Sequence, residues 1–273
     1  MKACAFEYER ARDVSDAVKL LSSEGAKVAA GMQSLGPMLN LRVVQPSLLV
    51  DIRRVEELRT IREEGDTLAL GACVTHAEIE DGRVPGPTGA FLQRVASRIA
   101  YRAVRNRGTI GGSLAHADPA GDWPLALAAL GSDVILRGPA GERTIPTGRL
   151  VTSAFTTEIK DDEIVTVVVV PKLSDAARFG YFKFCRKTGE FPEASAAVVI
   201  DPERHAARVY LGALSGPPQP LPELARHLAA GDLAQLHRDV AAEAVATIAG
   251  LDAVDRRMHA GTLLRALERA LAQ

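Results

Sequence analysis

Two glycine-rich segments carry the residue types that bind phosphate. The first, Ala29-Ala-Gly-Met-Gln-Ser-Leu-Gly-Pro, follows a short apolar stretch and runs into a helical turn. Such a turn aims several backbone N–H groups at one point, and the helix start adds partial positive charge. Gly31 lets the backbone approach closely, and Ser34 adds a hydroxyl donor. The second segment, Gly108-Thr-Ile-Gly-Gly-Ser-Leu-Ala-His-Ala-Asp-Pro, sets Gly111 and Gly112 beside the hydroxyls of Thr109 and Ser113. Two such loops in one chain suit a pyrophosphate held mostly by main-chain dipoles. Each alone also reads as an ordinary turn. Neither is a dinucleotide or Walker fingerprint. A hydrolase elbow at Ser113 needs a strand just before it and a helix just after, and Pro119 and the polar surroundings argue against one.

Other chemistries are poorly supported. Three cysteines, Cys4, Cys73 and Cys185, lie too far apart for an iron–sulfur cluster or a C-x-x-C site. Six histidines are scattered with no H-E-x-x-H, so no protein metal site is expected. With 33 Lys/Arg against 34 Asp/Glu, the formal charge of -1 gives no general field for nucleic acid. No apolar run approaches the roughly 20 residues of a membrane span. Glu7 and Glu9 interrupt the start before the apolar core of a leader forms. A cytoplasmic location is expected.

The elements that position these residues follow from periodicity. The first fifty residues read as β-α-β-α-β: Phe6 to Glu9, a helix from Asp13, a strand from Ala26 to Ala30, the first loop, and a strand from Ser47 to Ile52. That alternation predicts a small parallel sheet. Thr67 to Val74 alternates as a strand, Thr75 caps a helix, and Gly89 to Ile99 is helical. Residues 105 to 122 read as a long loop, followed by an apolar helix from Trp123 to Leu130. Gly138-Pro-Ala-Gly predicts a hairpin turn, and Glu163 to Val170 a buried strand. The last hundred residues predict three antiparallel strands (Arg178 to Arg186, Ala194 to Ile200, Ala207 to Leu214), then three helices (Pro222 to Ala230, His237 to Ile248, His259 to Leu271).

Ala30-Gly-Met-Gln-Ser-Leu-Gly-Pro-Met-Leu-Asn-Leu-Arg, followed by Leu49-Val-Asp-Ile, resembles the first flavin loop of the FAD-binding medium subunits of molybdenum hydroxylases, the xanthine dehydrogenase and carbon monoxide dehydrogenase family. The run from Arg105 to Pro124 is similar to that family's second loop. Thr156-Thr-Glu-Ile-Lys-Asp-Asp-Glu-Ile-Val and Tyr181-Phe-Lys-Phe-Cys-Arg-Lys match its next two landmarks, and the likeness covers nearly the whole chain. It implies an α+β chain: a two-subdomain FAD-binding fold of the PCMH (vanillyl-alcohol-oxidase-like) type, then a C-terminal three-stranded antiparallel sheet with a three-helix layer. The implied divisions are residues 1–55, 56–172 and 173–273.

Position by position, the resemblance places FAD against Ala29, Ala30, Gly31, Met32, Gln33, Ser34 and Leu35, then Thr109, Ile110, Gly111, Gly112 and Ser113. It places Asp122 near the ribityl chain, where that residue also suits a helix cap. Lys183 faces the flavin ring, and a cation there stabilises the anionic reduced flavin. Phe191 lies against the ring or in the core, and Ile164 lines a cofactor pocket. Three departures bear on this geometry. Met32 stands where the family has glycine, Trp123 replaces a smaller aliphatic residue, and Pro192 enters the segment near the ring. The implied role is an FAD electron-transfer subunit. It would take electrons from the 2Fe-2S clusters of a small subunit, beside a large molybdenum-cofactor subunit, and pass them to an external acceptor. The alternative is a stand-alone flavoenzyme acting on a small molecule, with Tyr181, Glu190 or His116 as its base.

Overall fold

The computed structural model describes residues 2–231 and 238–273. Its first unit comprises β1 (Glu7–Arg10), α1 (Val14–Leu21), β2 (Ala26–Ala29), α2 (Leu35–Asn40) and β3 (Leu48–Asp51). β3 lies between β1 and β2 and runs parallel to both, as the alternation of strands and helices predicts. The Asp13 side chain caps α1, accepting from the amide of Asp16 at 2.7 Å. Ala17, Val18 and Leu21 form the buried stripe that packs on this sheet.

The second unit holds β4 (Ile61–Glu64), β5 (Thr67–Gly71), α3 (His76–Glu80), α4 (Gly86–Ala96), α5 (Arg102–Arg105), α6 (Ile110–His116), α7 (Asp122–Leu130), β6 (Asp133–Gly138), β7 (Gly141–Pro146), α8 (Thr147–Leu150), β8 (Val151–Ser153), β9 (Thr156–Thr157) and β10 (Ile164–Pro171). Five strands form one antiparallel sheet in the order β4-β5-β10-β6-β7. The β6–β7 hairpin closes at Gly138 and Gly141, on the turn that the sequence marks. All nine residues of α7 are buried, which explains a helix apolar on every side. Thr75 starts α3 with a complete capping box: its hydroxyl accepts from the Glu78 amide, and the Glu78 carboxylate accepts from the Thr75 amide.

The expectation of a loop from 105 to 122 is corrected. Ile110–His116 is helical, despite two glycines that each cost helix stability. Tertiary burial of Ile110 and Leu114 and the Thr109 cap outweigh that penalty.

The third unit runs β11 (Arg178–Phe184), β12 (Ala194–Asp201), β13 (Ala206–Gly212), β14 (Gln219–Pro220), α9 (Pro222–Ala229), α10 (Arg238–Ala246) and α11 (Ala253–Leu271). The expected three-stranded sheet has four strands, because β14 adds an edge beside β13. Prolines 217, 218 and 220 hold that stretch extended, and an edge tolerates their missing N–H. The expected helix start at His237 lies outside the described residues. Every residue of β12 is buried, with α11 on one side and the core of the second unit on the other. Tyr181, Ala197 and Val199 thus share a core with α7 and β10, so the change of unit near residue 172 is a change of sheet within continuous packing.

Candidate cofactor site

The first loop joins β2 to α2. Among the described residues, the amides of Gly31, Met32, Gln33, Ser34 and Leu35 meet no acceptor. Five successive open N–H groups at a helix start form an anion-binding concavity. Ser34 occupies the cap position with helical φ and ψ and makes no capping bond, so its hydroxyl is also unspent. The Gln33 amide side chain donates to Gly31 O at 3.0 Å and braces the turn. Gly31 is required by its neighbour: a Cβ there would stand 2.3 Å from Arg107 O. The first loop therefore crosses the backbone leading into the second segment.

Met32 has φ +62°, a left-handed conformation that favours glycine by about 1 kcal/mol. Its side chain packs, with Leu35, on the apolar cluster of Ala29, Leu39 and Leu49. Ala30 packs on the core of the first unit.

The second segment differs. The amide of Ile110 donates to Val74 O, that of Gly111 to Ala72 O, that of Gly112 to the Thr109 hydroxyl and that of Ser113 to Thr109 O, at 2.9 to 3.1 Å. These dipoles are spent within the protein. A Cβ on Gly111 would stand 2.5 Å from Ala72 Cβ, so this glycine serves packing. A Cβ on Gly112 would lie 3.9 Å from Ala30 Cβ, which puts that residue beside the first loop. The segment's means of touching a ligand are its hydroxyls: Thr109 keeps its proton free to donate, and Ser113 has no partner among the described residues.

A buried polar group lies beyond them. Asp122 is the first residue of α7, and the cap is Gly121 in place of the expected Asp122. A carboxylate there still faces the positive helix end. Asp122 pairs with Lys183 at 3.0 Å, and the two side chains are 6% and 4% exposed. The Tyr181 hydroxyl donates to the same carboxylate. Burial first, and then the Asp122 charge, push the Tyr181 phenol well above its usual range, so it stays protonated. Sequence reasoning marked Tyr181 only as a possible base; its alternation with Lys183 on β11 was the signal for a shared face.

The neighbouring contact was not legible. Trp123 Nε1 donates to His76 Nδ1 at 2.9 Å across 47 residues of sequence. Burial, with Arg105 adding to it, pushes the His76 pKa down to about 3, and the neutral ring accepts this bond. The larger Trp123 thereby ties the start of α7 to α3. His76 N also donates to Gly108 O, so one residue ties the second segment to Trp123 at the start of α7.

Phe191 is 65% exposed in the connection after β11, while the adjacent Pro192 is buried. Ile164, the first residue of β10, is buried against Val50, Ile52 and Cys73 of the first unit's core. No group of three or more His, Cys, Asp or Glu residues among those described could hold a metal ion. No described helix is long and apolar enough to cross a membrane.

Comparison with known proteins bears on the family and the fold. Residues 4–173 match the family described as the FAD binding domain in molybdopterin dehydrogenase. The chain is 37% identical to the 6-hydroxypseudooxynicotine dehydrogenase complex subunit alpha of Paenarthrobacter nicotinovorans, over 99% of this chain and 97% of that one. It is 39% identical to the carbon monoxide dehydrogenase medium chain of Hydrogenophaga pseudoflava, over 71% of this chain and 69% of that one. Among solved structures, the Cu,Mo-CO dehydrogenase superposes with a TM-score of 0.89 at 30% identity, covering 100% of this chain and 99% of that one. Quinoline 2-oxidoreductase from Pseudomonas putida 86 superposes with a TM-score of 0.86 at 29% identity, covering 100% of this chain and 99% of that one. A family match over residues 4–173 and a full-length match of fold lead to one assignment: the chain belongs to the FAD-binding medium subunits of the molybdenum hydroxylases.

Proposed function

We propose that this chain holds FAD between its first loop and its second segment, and relays electrons from the 2Fe-2S clusters of a small subunit to an external acceptor. The observation that carries the reading is the run of five open amides from Gly31 to Leu35. They would take the pyrophosphate, with the Thr109 and Ser113 hydroxyls facing them. Asp122 would accept from the ribityl hydroxyls, and Lys183, paired with Asp122, would sit near the ring. FAD supplies the redox chemistry when bound. The chain's own residues bind it, fix its position and set the charge around it. Lys183 favours negative charge on the neighbouring ring system. Tyr181, protonated and bonded to Asp122, holds that carboxylate in place.

The large molybdenum-cofactor subunit would act on the substrate, in a cytoplasmic assembly. Residues 1–55, 56–172 and 173–273 would be its structural divisions in this chain, with Phe191 as the exposed aromatic near the ring and Ile164 as a wall of the pocket from within the core. The test is the flavin content of the purified chain, and its reduction when the iron–sulfur partner is added in reduced form. Near one FAD per chain, without substrate turnover by the chain alone, is the expected result. A chain that takes up no FAD from excess, with or without its partners, or that turns over a substrate unaided, contradicts the reading.

A further inference from the structure

A cavity of about 200 Å³ opens where β11, α11 and the end of α4 meet. It is lined by Arg98, Lys183, Arg186 and Arg269, with Tyr181 and Thr188 among its other walls. This volume is below the roughly 300 Å³ at which sites for whole small-molecule ligands begin, so it suits one small group.

The walls are cationic and poorly neutralised. Among the described residues, Arg98 and Arg269 pair with no carboxylate, and neither do Arg94 and Arg265 beside them. Glu193 is 3.9 Å from Arg186, at the limit of an ion pair, and Asp122 is spent on Lys183. Arg269 is held by Tyr181 O at 2.7 Å and by the Phe182 ring, 4.7 Å from its guanidinium carbon. Those contacts fix its direction without neutralising its charge. Burial, then the like charges of Arg98, Arg94 and Arg265, push its pKa below the usual value. Bringing like charges together costs free energy unless an anion joins them. Arg98, Arg186 and Arg269 line one space, Arg186 with its side chain 86% exposed, and guanidinium groups around one space match the oxygens of a phosphate.

We propose that this cavity binds a phosphate-bearing anion through Arg98, Arg186 and Arg269, with Lys183 at its inner wall. It shares Lys183 and Tyr181 with the Asp122 cluster, and no residue of the first loop lines it. The inference does not rest on the flavin reading.

The test is calorimetric titration of the full chain, saturated with FAD, with inorganic phosphate and with ADP in low-salt chloride buffer. Saturation with FAD keeps the first loop from contributing. Saturable binding is expected, weakened at least tenfold in Arg98→Gln and in Arg186→Gln. Both side chains are exposed, so the fold should persist, and unchanged flavin content checks it. ADP binding more than tenfold tighter than phosphate assigns the anion to a nucleotide; equal affinity assigns it to free phosphate. Absence of saturable binding for both probes, or binding unchanged in both variants, overturns the proposal. If the chain takes up no FAD, the same titrations apply, and only the loss in the arginine variants counts for this site.

Discussion

The two glycine-rich segments look alike in sequence and behave differently in the fold. The first presents five amides without acceptors, whereas the second gives the amides of Ile110 to Ser113 to the protein. The contrast separates two uses of glycine. Gly31 clears space for the crossing of the two segments, and the turn around it stays open to a ligand. Gly111 clears space for Ala72, and its helix is capped by the buried Thr109 hydroxyl. One segment leaves its amides unspent; the other spends them and leaves two hydroxyl protons unspent.

The largest effect should come where the segments cross. Gly31→Val would put a side chain onto Arg107 O and displace the open amides, so FAD affinity should fall by two orders of magnitude or more. Gly36→Ala, with nothing within 4 Å of the added carbon, is the matched control and should keep its flavin. Equal flavin content in the two folded variants would break the comparison.

Next comes the buried pair. Lys183→Met leaves Asp122 buried with only the Tyr181 hydroxyl, and should cost about 3–5 kcal/mol in denaturant unfolding. Lys183→Met with Asp122→Asn should recover most of that loss while still lowering the flavin reduction potential. A potential unchanged in the double variant would remove the lysine from the ring.

Gly111→Ala sharpens the contrast between the segments. Overpacking against Ala72 should cost about 1–3 kcal/mol, to the same extent with and without FAD. A loss of FAD affinity with unfolding midpoints unchanged would return the second segment's main chain to the phosphate.

The smallest effect is a slope with pH. His76 is neutral when folded, with a pKa near 3 against 6.5 unfolded, so the unfolded chain binds the extra proton between those values. Stability should fall as pH drops from about 6.5 towards 3, by up to about 1.4 kcal/mol per unit from this group. His76→Gln should flatten that part of the profile; an unaltered slope would show that the histidine is not the group titrating.

Local signals were legible in the sequence. The Thr75 capping box, the parallel alternation of the first unit and the turn at Gly138–Gly141 each depend on residues close in the chain. The helix at Ile110–His116 was hidden because burial, not propensity, stabilises it. The edge strand at Gln219–Pro220 was hidden because its prolines read as a linker. Motif resemblance singled out both segments, but which of their amides the fold leaves open was not legible. Which amides are open depends on Val74 and Ala72, whose carbonyls reach the second segment only in the folded chain. The bond from Trp123 to His76 has the same origin.

The most direct measurement is amide hydrogen exchange of the chain with and without FAD, resolved over the two segments. The account predicts fast exchange at Gly31 to Leu35 without FAD and strong protection with it, while Ile110 to Ser113 are protected in both states. Protection gained only at Ile110 to Ser113, with Gly31 to Leu35 unchanged, would contradict it.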